Sequence, residues 1–190
     1  MHVLPRACVR ACHERGQARV RRAASTLAVV ALRRVLPEFT VPGFKTTAAE
    51  IYDAVGAALA AADGARLRLL TTPSCFTKMA ASLRARGVGE RHEWRALGTR
   101  ASIKQVRIGH NASAGTVQYV QVTAHIDARL VWQVRDAEGA LVGGAGAEGA
   151  PFNASDYWVF ERCLAGVHPA WRLKERLEVA PPGVAKERVR

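Results

Sequence analysis

The apolar period of this chain changes once, at Gly87–Gly89, and that change divides it into a helical half and a strand half. Upstream, Thr47-Ala48-Ala49-Glu50 fits a capping box, in which a Thr hydroxyl and a Glu carboxylate satisfy the free N–H groups of a first helical turn. Ile51, Val55, Ala58, Leu59 and Ala62 then form one apolar stripe, which Asp63-Gly64 is expected to stop. A short second helix is predicted through Leu67, Leu69 and Leu70. A third is predicted from Ser74 to about Arg86, with Phe76, Met79 and Leu83 on one face and Gly87 and Gly89 closing it.

Downstream the period falls to that of strands. Trp94, Ala96 and Leu97, then Ile103, Val106 and Ile108, predict one strand or a broken pair. Thr116 to Arg135 is the longest alternating run, with Val117, Tyr119, Gln121 and Thr123 on one face and Gln118, Val120, Val122 and Ala124 on the other. Val131 and Val134 break its parity, which predicts a bulge or bend near Leu130. Asp136 to Gly139 reads as a turn, Ala140 to Val142 as the start of the return strand, and Gly143 to Pro151 as a loop. Asp156–Leu164 and Trp171–Val179, joined by a connection carrying Gly166 and Pro169, read as a closing hairpin. Helices followed by antiparallel strands predict an α+β fold, with helices packed on one face of a curved antiparallel sheet. The cone of the nuclear-transport-factor-like and cystatin-like folds has this order.

Ahead of that fold lies a basic arm. Residues 1–36 hold eight arginines (Arg6, Arg10, Arg15, Arg19, Arg21, Arg22, Arg33 and Arg34) against one acid, Glu14. Whole-chain charge is +12, from 28 Lys and Arg against 16 Asp and Glu, and only five of the cations are lysines. Such a chain attracts polyanions, nucleic acid first and an anionic membrane surface second. The arm resembles a mitochondrial targeting peptide in being Arg-rich and acid-poor. Val20, Ala23, Ala24, Leu27, Val30 and Ala31 also fall near helical spacing, so one face can dock on the domain while the arginines bind RNA. Arg84, Arg86 and Arg91, with Arg95, Arg100, Lys104 and Arg107 beyond them, are expected to extend the arm's footprint, the alternative being a solvated face. The expected division is a basic arm over 1–43, an α+β domain over 44–180 and a tail over 181–190.

Chemistry-bearing motifs are sparse. Cys8, Cys12 and His13 lack a second ligand pair at matching spacing, so no metal or other cofactor is expected. Four scattered cysteines fit a reducing compartment rather than a disulfide scaffold. The apolar run Leu27–Leu32 is far shorter than the roughly 20 residues a membrane span needs. His125 and Asp127 share a strand face, as a base and its orienter would, yet such a pair is more often a surface contact. Glu161 and Arg162 point to opposite faces and are expected to pair across strands with Arg172, Lys174 or Glu175. Trp158, Phe160 and Trp171 are expected to pack between helices and sheet. No catalytic residue is assigned and no enzyme is expected.

Seven short stretches occur in a telling order: FKTTAAEIY from Phe44, RLRLLTTPSCF from Arg66, Trp94-Arg95, VQVTAH from Val120, RDAEG from Arg135, VFER from Val159 and Trp171-Arg172. From about residue 37 to 182 the chain resembles the family of the mitochondrial large-subunit ribosomal protein number forty-five. Its domain is shared with the inner-membrane import-motor anchor, translocase subunit forty-four. The resemblance implies a structural component of the mitochondrial large ribosomal subunit near the polypeptide exit. Such a protein touches rRNA and neighbouring ribosomal proteins in the matrix, faces the inner membrane and takes no small-molecule substrate. Two alternatives stay open. An import-motor anchor is expected to carry a long charged helical region ahead of the domain; a small-molecule enzyme of the cone fold requires a ligand-sized polar cavity.

Overall fold

The computed structural model describes residues 27–110, 117–145, 150–164 and 169–177. Among the described residues four helices precede five strands, in the order that periodicity predicts. A helix over residues 27–35 (α1) is followed by α2 (Val41–Ala60), α3 (Gly64–Leu70) and α4 (Pro73–Arg84). The strands are β1 (Arg91–His110), β2 (Val117–Arg135), β3 (Leu141–Ala145), β4 (Phe152–Cys163) and β5 (Arg172–Leu177).

α2 begins seven residues, about two turns, earlier than the capping box predicts. Thr40, not Thr47, is its N-cap: the Thr40 hydroxyl accepts the Gly43 N–H at 3.1 Å. Pro42 sits in the first turn, where its missing N–H costs nothing. Phe44 and Ala48 thereby join Ile51, Tyr52, Val55 and Ala58 on the buried stripe. The helix stops at Ala61–Ala62, with Ala62 at φ 53°. Asp63 then caps α3 by accepting the Arg66 N–H at 2.9 Å, so Gly64 opens the next helix rather than ending the last. α4 starts at Pro73 and ends at Arg84.

All strand pairs within the open sheet are antiparallel, in the order β1-β2-β4-β5, and β3 pairs with β2 past the end of β4. Central β2 turns Val120, Val122, Ala124, Ile126, Ala128 and Leu130 into the core, as its alternation predicts. The expected bulge lies at the right place on the wrong strand. Leu97 of β1 is the extra residue, opposite Leu130 and Arg129, and Lys104 is a second one. Each slip restores the inward phase of β1, carrying it from Trp94 to Ala101 and Ile103, then to Val106, all packed on the core. Val131 and Val134 are both buried although they lie on opposite faces of β2.

The closing hairpin is present as predicted, β4 pairing with β5. Its aromatic residues lock the helices to the sheet: the Phe44 ring of α2 lies 5.8 Å from Phe160 and 4.9 Å from Trp171, with Phe39 5.7 Å away. The Thr72 N–H also donates to the Leu173 carbonyl at 2.9 Å, tying the α3–α4 junction to β5. The core reaches N-terminal of the boundary expected at residue 44. Leu32, Leu36 and Phe39 are buried in the same cluster as Phe44 and Phe160, because α1 and the segment joining it to α2 lay apolar side chains on the domain. Gly143 to Ala145, expected in a loop, form β3; residues 146–149 and the tail from 178 lie outside the described residues.

Candidate nucleic-acid interface and inner cavity

Of the basic residues read from sequence, Arg6, Arg10, Arg15, Arg19, Arg21 and Arg22 lie outside the described residues. Arg33 and Arg34 are exposed on α1, next to buried Leu32. Arg84 is exposed at the end of α4. Arg86 faces inward: its guanidinium donates to the Ala60 carbonyl at 3.2 Å and to the Leu59 carbonyl. There it satisfies the last carbonyls of α2 and opposes the negative end of the helix dipole. Burial lowers its pKa while the Glu90 carboxylate pulls the other way.

Arg91 belongs to a different surface. On β1, His92, Trp94, Thr99 and Ala101 face the helices, so Arg91, Glu93, Arg95 and Arg100 face outward, and the slip at Lys104 keeps Arg107 with them. Pairing sets Arg129 opposite Gly98 and Arg135 opposite Arg91 on the same outer face. Five of these arginines, Arg91, Arg95, Arg100, Arg107 and Arg129, are exposed and form no ion pair with a described carboxylate. Arg129 and Arg135 were not legible as part of this cluster, since only strand register brings them to it. The cationic residues therefore occupy two layers, α1 with the helices and β1–β2 on the open side.

His125 and Asp127 do share the outer face and meet at 3.2 Å, and Ser155 joins them from β4. The Ser155 hydroxyl is 2.9 Å from His125 Nε2 and donates to Asp127 Oδ1 at 2.8 Å. The hydroxyl has one proton for two acceptors, Asp127 Oδ1 and His125 Nε2, while Asp127 Oδ2 lies 3.2 Å from His125 Nδ1. The cluster is an exposed network on the sheet surface, outside any cavity described for this domain. Farther along the strands, Glu161 accepts from Gln121 at 2.7 Å and Lys174 at 2.8 Å, the cross-strand pairing expected of it. Arg162 points to the other face and pairs with Glu38 at 2.8 Å rather than with Glu175.

Between the helices and the inner face lies a cavity of about 450 Å³, within the range of small-molecule pockets. Its walls are chiefly apolar, with Val55, Leu59, Leu83, Trp94, Trp132 and Trp158 among them. Its charged groups are already engaged: Arg176 donates to Asp156 at 2.6 and 3.1 Å, His92 is 3.2 Å from Glu90, and Arg86 caps α2. The Tyr52 phenol is pushed up to about 12, by burial first and by the Asp156 and Asp53 carboxylates next, against the pull of Arg176. Near the α4 start, burial raises the Cys75 thiol to about 11, so it stays protonated. The cavity is ligand-sized without being polar, and His125 and Asp127 lie on the other side of the sheet. Among the described residues no helix is long and apolar enough to cross a membrane.

A family model described as the Tim44-like domain matches residues 25–177. The chain is similar to the large ribosomal subunit protein mL45 of Bos taurus, 27% identical over 161 residues that cover 84% of this chain and 50% of that protein. It is similar also to the protein of that name from Xenopus tropicalis, 28% identical over 164 residues with the same two coverages, 84% and 50%. The chain thus spans about half the length of the curated relatives it matches.

Proposed function

The chain belongs to the Tim44-like domain family, and on that premise we propose that it is a structural, non-catalytic component of the mitochondrial large ribosomal subunit. The observation that carries this reading is similarity to mL45 along 84% of the chain. The charge of +12 and the outward arginines fit a partner made of rRNA. In this reading the basic arm, with Arg33 and Arg34 at its docked end, binds rRNA. Arg84 and Arg91 add contacts from the domain, and the remaining surface meets neighbouring ribosomal proteins. The site is the polypeptide exit in the matrix, facing the inner membrane. Arg86 contributes to the fold rather than to the interface, because its guanidinium is turned onto the Leu59 and Ala60 carbonyls at the end of α2.

The test is sedimentation of mitochondrial extract through a sucrose gradient at rising salt. Co-migration of this chain with the large subunit is expected; a chain that stays with free proteins at the top overturns the reading. An inner-membrane import-motor anchor is the second reading, supported by the shared domain. Cross-links to the import channel in place of rRNA would favour it.

A further inference from the structure

We propose that the outer face of the sheet at β1–β2 is a second RNA-binding surface, separate from the arm, which grips the phosphodiester backbone of a structured RNA through Arg95, Arg100 and Arg129. The inference rests on the ribosomal reading and gives it a location on the folded domain. Three observations carry it. The described helices pack on the other side, and Arg95, Arg100 and Arg129 stand exposed on this one. Its arginines form a zigzag: Arg129 lies opposite Gly98, diagonal to both Arg95 and Arg100, so successive cations stand at steps of roughly 7–8 Å between backbones. Side chains as long as arginine bring such a row within reach of neighbouring phosphates, and the planar fork suits each of them bidentately.

The face also holds positive charge that its own fold does not neutralise. Arg91 and Arg135 are direct cross-strand partners, an arrangement that repels unless an anion lies between or above them. Arg135 leans away, donating to the Gly139 carbonyl at 3.0 Å and to Gln133 at 3.1 Å. Two carboxylates share this surface. Asp127, opposite Arg100, is occupied by Ser155 and His125, and Glu93, opposite Gln133, forms no ion pair among the described residues. An anionic bilayer is the weaker match. Membrane surfaces are met by apolar and aromatic side chains beside the cations, and between Arg91 and Arg107 the exposed large apolar residues are few, Leu97 at 45% being the one on the outward bulge.

The experiment uses the full chain and three sets of variants: R95Q/R100Q/R129Q on the sheet, glutamine at the eight arm arginines, and K45Q/R66Q/K78Q on exposed helical positions as a control. Each is titrated with a labelled RNA stem-loop of arbitrary sequence, and separately with vesicles containing phosphatidylserine, over a range of salt. The sheet variant should bind RNA roughly tenfold or more weakly and lose about 2 from its log–log salt slope, while the control does not. A charge-preserving R95K/R100K/R129K variant should retain most of the affinity, and unchanged thermal midpoints should show that all fold. Full RNA affinity in the sheet variant, with loss in the arm variant, overturns this inference and leaves the ribosomal reading standing. Loss of vesicle binding alone overturns it in favour of a membrane surface. If the unaltered chain binds no RNA, both fall.

Discussion

The indole of Trp94, on β1, lies directly on the backbone of Gly56 in the middle of α2, so close that a β-carbon at residue 56 would overlap the ring. This contact sets the distance between helix layer and sheet beside the inner cavity, whose wall includes both residues. In an exposed helix, Gly→Ala gains about 1 kcal/mol. Here Gly56→Ala must push Trp94 away, and overpacking of this kind costs about 1–3 kcal/mol. Urea unfolding should show G56A destabilised, and G56A combined with Trp94→Leu should recover much of the loss. A stabilised G56A would mean that the sheet and α2 do not meet as described.

Asp53 and Thr99 supply a pH signature. The Thr99 hydroxyl donates to Asp53 Oδ1 at 2.6 Å across the helix–sheet junction. Burial raises the carboxyl above its ordinary 3.8, and the Thr99 hydrogen bond only partly opposes that. A raised carboxyl binds protons more tightly in the folded state, so its contribution favours folding most below the unfolded pKa. That contribution is lost as pH climbs through the folded value. Asp53→Asn keeps an acceptor for Thr99 and removes the charge. The stability difference between D53N and the parent should therefore be flat at low pH and grow in favour of D53N from about pH 4 upward. Urea midpoints measured across that range test the sign; a difference that grows in favour of the parent would refute it.

The last two helical turns before the domain should behave as core. Leu32 is fully buried while Leu27, five residues earlier, is 71% exposed. Leu32→Ala should cost about 2–5 kcal/mol, and Leu27→Ala should stay within about 0.5 kcal/mol. Thermal denaturation of the two variants separates a docked α1 from an independent arm, for which both would be silent.

What was legible in the sequence follows from which forces are local. The switch of period at Gly87–Gly89, the alternation of β2 and the closing hairpin report directly on which side chains face the core, and they predicted the α+β order. The start of α2 was missed because Thr40 and Thr47 offer competing caps. The choice between them falls to Phe44, whose burial against Phe160 and Trp171 extends the helix upstream. The bulge near Leu130 was felt in β2 but sits in β1, since parity breaks show on a strand without saying which partner carries the extra residue. For the candidate interface, the run of arginines in β1 was visible in the chain, whereas Arg129 joins it only through pairing, and Arg86 leaves it only because α2 ends beside it.

Ser155, His125 and Asp127 carry the residue types of a hydrolytic triad, and their exposed position on the sheet, away from the cavity, predicts inactivity. A triad needs the serine proton on the path to imidazole, with the carboxylate behind the ring. In this cluster the Ser155 hydroxyl lies 2.8 Å from Asp127 as well as 2.9 Å from the imidazole, and the group sits on the exposed sheet rather than in the 450 Å³ cavity. Ser155→Ala removes two exposed hydrogen bonds and should cost no more than about 1–2 kcal/mol. Hydrolysis of an activated ester such as p-nitrophenyl acetate should be equally slow for the parent, S155A and His125→Ala, each at the background of any surface nucleophile. A rate in the parent that S155A and H125A both abolish would show that the serine proton passes to the imidazole, and would restore the enzyme reading for this face of the sheet.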